Sequence, residues 1–280
     1  MSDSYAVFGN PIAQSKSPAI HRHFCEQTGE DMTYTKQLVA EGEFQTAADA
    51  FFADGGRGLN ITSPFKLDAF QYADRRTPRA ERAGAVNLLI KENDGSITGD
   101  TSDGVGMVND MLNMGWELGG KKLLILGAGG AVRGVLEPLL GQQPANLTIA
   151  NRTLAKAEQL VKDFHDLGEL KACSFDDLAG RQFDVIINGT SAGLHGERVN
   201  LPANLLAPDS ACYDMSYAAE PTGFLCWAER EGCKQLSDGL GMLVGQAAES
   251  FYAWRHIRPE VVPVITELRR KMTESKKKAS

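Results

Sequence analysis

The chain has no apolar run long enough to span a bilayer, and its N-terminus turns polar by Asn10, so neither a membrane helix nor a secretory leader is expected. It also lacks a CxxC pair. Its five cysteines, Cys25, Cys173, Cys212, Cys226 and Cys233, are scattered and odd in number, which fits reduced thiols in a cytoplasm better than a disulfide framework. His21 and His23 stand two apart with no further ligand in a metal pattern, so no metal site is expected. Positive charge is not in excess: the net charge of −7 argues against a general nucleic-acid surface and leaves room for local anion sites. Clear repeats and low-complexity blocks are missing, and Lys276, Lys277 and Lys278 read as a solubilised, frayed end. What remains is a composition of 42% hydrophobic and 23% charged residues over 280 positions, enough for about two domains.

The most informative stretch is 121–153. A short apolar run, Leu123 to Leu126, stops at the glycine-dense turn Gly127, Ala128, Gly129, Gly130, Ala131. Val132, Val135, Leu136, Leu139 and Leu140 then follow at helical spacing, and a second apolar run, Leu147 to Ala150, ends at Asn151, Arg152 and Thr153. This is a β–turn–α–β unit whose glycines let a backbone approach a pyrophosphate at a helix N-terminus. Val132 stands where a third glycine would complete the GxGxxG pattern. A dinucleotide site selective for NAD places a carboxylate at the end of the second strand. Asn151, Arg152 and Thr153 stand there instead, with Lys156 one turn on. An arginine fork and small hydroxyls suit a 2′-phosphate, so NADP is the expected cofactor. The plainer alternative is a helix start capped by Thr153, with Lys156 solvated.

Ahead of this unit the pattern alternates strand and helix. Tyr5–Phe8, Thr33–Val39 and Gly58–Thr62 read as strands, Glu43–Phe52 as a helix, and a further helix follows Ser17 and Pro18. Val86–Ile90 and Ser96–Thr98 flank the turn Asn93, Asp94, Gly95, a strong hairpin signal. The alternation predicts a mostly parallel α/β domain. Residues 99–104 form the expected crossing into a second domain, followed by a helix over 105–114. Val185–Ile187, ending at the loop 188–193, and Cys212–Met215 read as further strands, and 239–254 and 259–272 as helices.

Lys66, near a strand end, and Asp103, at the crossing, occupy positions where open α/β sheets bind ligands. A lysine can deliver or take a proton beside a hydride acceptor, and an aspartate can orient it. Ser15 and Ser17 flank Lys16 ahead of a helix and could hold a carboxylate, or Ser17 could simply cap that helix. Asn87, Tyr217 and Gln246 are isolated polar residues among apolar neighbours, in need of polar partners that backbone or a polyol could supply.

These residues fall in ordered segments that together resemble the shikimate dehydrogenases: GNPIAQSKSPAIH (9–21), GLNITSPFK (58–66), GAVNLL (84–89), GDTSDGVG (99–106), LGAGGAVRG with NRT (126–134 and 151–153), YDMSYAAEPTGFL (213–225) and DGLGMLVGQAAESF (238–251). The resemblance implies a reversible, NADP-dependent reduction of 3-dehydroshikimate to shikimate in aromatic amino-acid biosynthesis, by a cytoplasmic monomer or homodimer. It implies an α/β fold of two domains with a deep cleft between them. Residues 1–103 with 240–280 would form the substrate-binding domain, and 104–239 the Rossmann-like NADP-binding domain. By matched position, Ser15, Ser17 and Tyr217 would hold the substrate carboxylate, and Thr62, Lys66, Asn87, Asp103 and Gln246 its hydroxyl and keto oxygens. Lys66 would be the acid–base residue and Asp103 its partner. Gly127, Ala128, Gly129, Gly130 and Ala131, together with Asn151, Arg152, Thr153, Lys156, Met215 and Gly239, would contact the cofactor. The chain departs from the family pattern at Thr101 and Ser102 (commonly Asn-Thr), Ser63 (commonly valine), Pro78 (often acidic) and Gly189 (commonly alanine). Two rival readings are an NAD-dependent quinate/shikimate dehydrogenase, which the missing carboxylate at Asn151 opposes, and a non-catalytic dinucleotide sensor, which would need neither Lys66 nor Asp103.

Overall fold

The computed structural model describes residues 2–190 and 201–279; the loop residues Ser191, Ala192 and Gly193 lie outside them, as do the side chains of Lys276, Lys277 and Lys278. The chain forms two compact units, residues 1–106 with 244–264, and residues 107–243 with 265–280.

The first unit runs β1 (Asp3–Gly9), α1 (Ser17–Thr28), β2 (Met32–Leu38), α2 (Phe44–Ala53), β3 (Gly56–Ile61), α3 (Lys66–Tyr72), β4 (Arg75–Arg76), α4 (Pro78–Ala83), β5 (Leu88–Lys91), β6 (Ile97–Asp100) and the start of α5 (Asp103–Asn113). Its sheet has the order β2-β1-β3-β5-β6-β4. β1 pairs in parallel with β2 and β3, and β4 with β6, while β5 runs antiparallel to both β3 and β6. The hairpin expected around Asn93, Asp94 and Gly95 is thus β5–β6, and Gly95 takes the positive φ of 87° that its turn requires. The core holds Phe8, Phe44, Phe52, Leu59, Ile61, Phe65 and Leu89. Trp254 closes another part of the sheet, where its indole donates to the Leu89 carbonyl at 3.2 Å and lies so close to Gly58 that a Cβ there would come within 2.2 Å.

The second unit continues through β7 (Lys122–Leu126), α6 (Gly130–Leu140), β8 (Asn146–Ala150), α7 (Leu154–Phe164), β9 (Leu170–Cys173), β10 (Phe183–Asn188), β11 (Leu206–Asp214), α8 (Gly223–Arg230), β12 (Gln235–Asp238), α9 (Leu240–Arg255) and α10 (Val262–Ala279). α9 begins in this unit and ends in the first. Six parallel strands lie in the order β12-β11-β10-β7-β8-β9. Numbered within the unit and read from the β9 edge this is 3-2-1-4-5-6, the doubly wound order, whose switch point lies between β7 and β10. Leu123, Leu124, Ile125 and Leu126 are all fully buried, as a parallel strand covered on both faces should be. Val132, Val135, Leu136, Leu139 and Leu140 form the buried stripe of α6.

The last helix differs from expectation. It starts at Val262 rather than Pro259, with Pro263 in the first turn where a proline is tolerated. Residues 265–280 belong to the second unit, where Arg269 pairs with Asp238 and donates to the Ala218 carbonyl at 2.8 Å.

Candidate active site

Sheet order explains how distant residues of the first unit come together. β3 and β6 end, and β5 begins, at the same edge, because β5 runs antiparallel between them. Lys66 follows β3, Asn87 precedes β5 and Asp103 follows β6. Lys66 is set by the turn from Thr62 to Phe65, where Phe65 N–H donates to the Thr62 carbonyl at 3.1 Å and its ring is buried against Phe44. The Lys66 carbonyl in turn accepts from Val86 N–H at 3.0 Å. Asn87 is laced into the sheet: its N–H donates to Asp100 O at 3.1 Å and its carbonyl accepts from Ile61 N–H at 2.8 Å.

The side chains then meet. Lys66 Nζ donates to Asp103 Oδ2 at 2.5 Å, and Asn87 Nδ2 donates to Asp103 Oδ1 at 2.7 Å, so both carboxylate oxygens are held. Asp103 is the first residue of α5, where the helix dipole favours a carboxylate. Lys66 keeps 35% of its side chain exposed and Asp103 22%, so the pair stays open to a ligand. Gln246 joins through Ser102, whose hydroxyl lies 3.5 Å from Gln246 Oε1.

Thr62 packs on Gly9, where a Cβ would come within 2.4 Å of the Thr62 methyl. Ser15 and Ser17 lie beyond β1, which neighbours β3 in parallel, and thus at the same edge of the sheet. Their hydroxyls are 3.3 Å apart. Ser17 does not cap α1: the cap position is Lys16, with no side-chain bond, and Ser17 stands inside the helix. Tyr217 belongs to the second unit. Burial raises its phenol above the ordinary value, and the charge of Asp238 adds to this, so it is a neutral donor at physiological pH.

In the second unit the glycine turn sits at the sheet's switch point. Gly127 has φ 103°, its N–H donates to Ala150 O at 2.8 Å, and a Cβ would stand 3.1 Å from the Gly189 carbonyl beyond β10. Gly129 is the N-cap of α6 and offers no side-chain acceptor, so the first-turn N–H groups face outward. A Cβ on Gly129 or Gly130 would meet nothing within 4 Å among the described residues. Beside them is a cavity of about 220 Å³ whose polar side chains are Arg133, Lys156 and Gln159, with Ala128, Gly129, Gly130 and Leu160 completing the lining. Asn151 Nδ2 donates to the Thr153 carbonyl at 2.9 Å. Thr153 takes the N-cap position of α7 but makes no capping bond, so the plainer reading of that hydroxyl is not realised. Arg152 is exposed, and neither its side chain nor that of Lys156 has a hydrogen-bond or ion-pair partner among the described residues. Open space at the turn, outward N–H groups and two uncommitted cations fit a dinucleotide bearing an extra phosphate.

Met215 and Gly239 touch, since a Cβ on Gly239 would lie 2.2 Å from Met215 O. The two departures at Val132 and Gly189 explain each other. A methyl on Gly189 would come within 2.4 Å of Val132 Cγ2, so the valine at the third-glycine position requires glycine at 189. Sequence reasoning missed two polar cavity-lining residues, Arg133 and Gln159. Both lie on helix faces whose only sequence signal is their distance from the glycine turn. Arg133 pairs with Asp163, which also accepts from Gln159 Nε2 at 2.7 Å.

A parallel sheet in this order with a glycine turn at its switch point defines the doubly wound dinucleotide-binding class. Residues 7–89 match the shikimate dehydrogenase substrate binding domain, 110–196 the shikimate/quinate 5-dehydrogenase family and 239–269 the shikimate 5′-dehydrogenase C-terminal domain. A curated shikimate dehydrogenase (NADP⁺) from Cellvibrio japonicus is 64% identical over 276 residues, covering 99% of this chain and 100% of that protein. Among solved structures, an Ael1 enzyme from Pseudomonas putida is 42% identical with a TM-score of 0.91, covering 95% of this chain and 98% of that one. Shikimate 5-dehydrogenase from Thermus thermophilus, solved with NADP(H) and shikimate, is 29% identical with a TM-score of 0.85, covering 96% and 99%. The chain belongs to the shikimate dehydrogenase family.

Proposed function

We propose that this protein catalyses the reversible NADPH-dependent reduction of 3-dehydroshikimate to shikimate, on the route to chorismate and the aromatic amino acids. The observation that carries the mechanism is the Lys66–Asp103–Asn87 cluster, three residues from separate segments of the first unit joined at 2.5 and 2.7 Å. When bound, the nicotinamide supplies a hydride to the carbonyl carbon. Lys66, a cation held against Asp103, stabilises the negative charge that builds on the oxygen and gives it a proton. Solvent then restores the lysine, and the reverse path runs through the same groups. Asp103 and Asn87, with Thr62 and Gln246, hold the hydroxyls, and Ser15, Ser17 and Tyr217 hold the carboxylate.

Toward the cofactor, residues 127–131 would cradle the pyrophosphate, Asn151, Arg152, Thr153 and Lys156 would receive the 2′-phosphate, and Met215 and Gly239 would contact the cofactor as well. Residues 1–103 with 240–264 serve as the substrate-binding part and 104–239 as the NADP-binding part, while 265–280, which the family resemblance would put with the former, group with the second unit. The five unpaired cysteines support a reducing compartment such as the cytoplasm, with the protein acting as a monomer or homodimer.

The test is a spectrophotometric assay with shikimate and quinate, each against NADP⁺ and NAD⁺. Shikimate with NADP⁺ should be the best pair by kcat/KM. Absence of turnover with that pair would overturn the proposal, and preference for quinate with NAD⁺ would replace it with the catabolic alternative.

A further inference from the structure

Ser102 immediately precedes Asp103 and is fully buried. Its N–H donates to Asn87 Oδ1 at 2.9 Å, and its hydroxyl donates to the same oxygen at 3.2 Å. At the other end of that amide, Nδ2 donates to Asp103 Oδ1 at 2.7 Å. A side-chain amide has an oxygen with two lone pairs and a nitrogen with two donors, and the two ends are nearly equal in shape. Its torsion is soft, so shape alone does not choose between the two ways round. Ser102 makes that choice. Two donors claim both lone pairs of the oxygen, which turns the nitrogen toward the carboxylate. Reversed, the amide would set its NH₂ against the Ser102 donors and its oxygen against Asp103. The backbone of Asn87 is held independently by Asp100 and Ile61, so Ser102 governs the side chain alone.

We infer that Ser102 is a positioning residue: it fixes the orientation of the Asn87 amide, and through it the Asp103 carboxylate that holds Lys66. This rests on the proposed dehydrogenase activity. The hydroxyl is also 3.5 Å from Gln246 Oε1, so one buried group stands between two amides proposed to face the substrate.

A double-mutant cycle tests the inference, using steady-state shikimate oxidation by the whole enzyme with NADP⁺. Ser102→Ala removes the hydroxyl and keeps the N–H, so kcat/KM for shikimate should fall about three- to tenfold, mainly in kcat. NADP⁺ affinity measured by calorimetry should stay unchanged. In an Asn87→Ala background the same substitution should cost less than twofold, because the group it acts through is gone. An equal loss with and without Asn87, or a normal kcat in Ser102→Ala, would overturn the assignment. Should the alanine variant fail to fold, Ser102→Cys keeps the volume with a much weaker donor and carries the same cycle. An unmodified enzyme inactive toward shikimate would instead sink the dehydrogenase reading, an outcome visible before any variant is made.

Discussion

Replacing Lys66 with methionine keeps the unbranched, extended shape of the side chain and removes its charge and proton. The structure separates the effect on folding from the effect on chemistry. The Lys66–Asp103 contact is 2.5 Å, but Lys66 is 35% exposed, so solvent screens the pair and its loss should cost only about 0–1 kcal/mol of stability. Asp103 keeps its bond from Asn87 at 2.7 Å and so is not left unpartnered. The chemical effect should be far larger. A positioned acid–base group contributes about 10²–10⁴-fold, or roughly 2.7–5.4 kcal/mol of barrier. We therefore expect Lys66→Met to lower kcat by about two to four orders of magnitude while KM for shikimate changes much less. Asp103→Asn should lose both rate and affinity, since it removes an acceptor for the ammonium and the charge that holds it. Because the two residues act as a unit, the double variant should be little slower than Lys66→Met. The assay is steady-state shikimate oxidation by the four proteins, with NADP⁺ binding measured by calorimetry to show that each is folded. A Lys66→Met enzyme with near-normal kcat would mean that the proton comes from another group, and the mechanism would fall.

Arg152 is exposed and without a partner among the described residues, so Arg152→Ala should leave stability alone. It should raise the NADP⁺ KM by roughly ten- to a hundredfold, about 1.5–3 kcal/mol, and barely alter NAD⁺ use; equal effects on both would refute the 2′-phosphate role. At Gly129 a Cβ meets nothing within 4 Å among the described residues, so Gly129→Val should fold normally yet lose NADP⁺ binding, and calorimetry showing unchanged affinity would displace the pyrophosphate from this turn. His21 makes a pH prediction. Burial lowers its imidazole to about 3, against a smaller opposing influence of the Asn60 amide. Above the unfolded value of about 6.5 the ring is neutral in both states and contributes nothing to the pH dependence. Below it the unfolded chain takes a proton that the folded one refuses, so stability should fall by about 1.4 kcal/mol per pH unit toward pH 3. His21→Phe, whose ring suits the surrounding Phe24, Tyr34, Phe251 and Trp254, should flatten that slope in urea unfolding at pH 7.5 and 5.5. An unchanged slope would assign the acid sensitivity to other groups.

Elements whose signal is local were legible in the chain. The β7–α6–β8 unit announces itself through an apolar run, a glycine turn and a helical stripe, all confined to about thirty residues. The β5–β6 hairpin is equally local, because Asn93, Asp94 and Gly95 specify their own turn. The assembly of Lys66, Asn87 and Asp103 was not legible in the same way. It depends on an antiparallel strand lying between two others, which is a pairing choice made across the sheet. Only resemblance to a family linked these positions, and sheet order supplies the physical reason.

The start of α3 at Lys66 was hidden for a related cause, since it is the burial of Phe65 against Phe44 that closes the turn. The last helix makes the same point in reverse. Its sequence periodicity does not say which unit it joins, and its attachment is set by Arg269 reaching Asp238 and Ala218, contacts with no local signature. Val132 and Gly189 carry this furthest. Taken singly, each is a departure from a pattern and hints at a weakened site. Taken together, they are one packing solution: a valine that fills the space where a methyl would stand, and a glycine 57 positions later that leaves that space empty. A departure from a motif therefore says little about function until the atom that occupies the vacated volume is known.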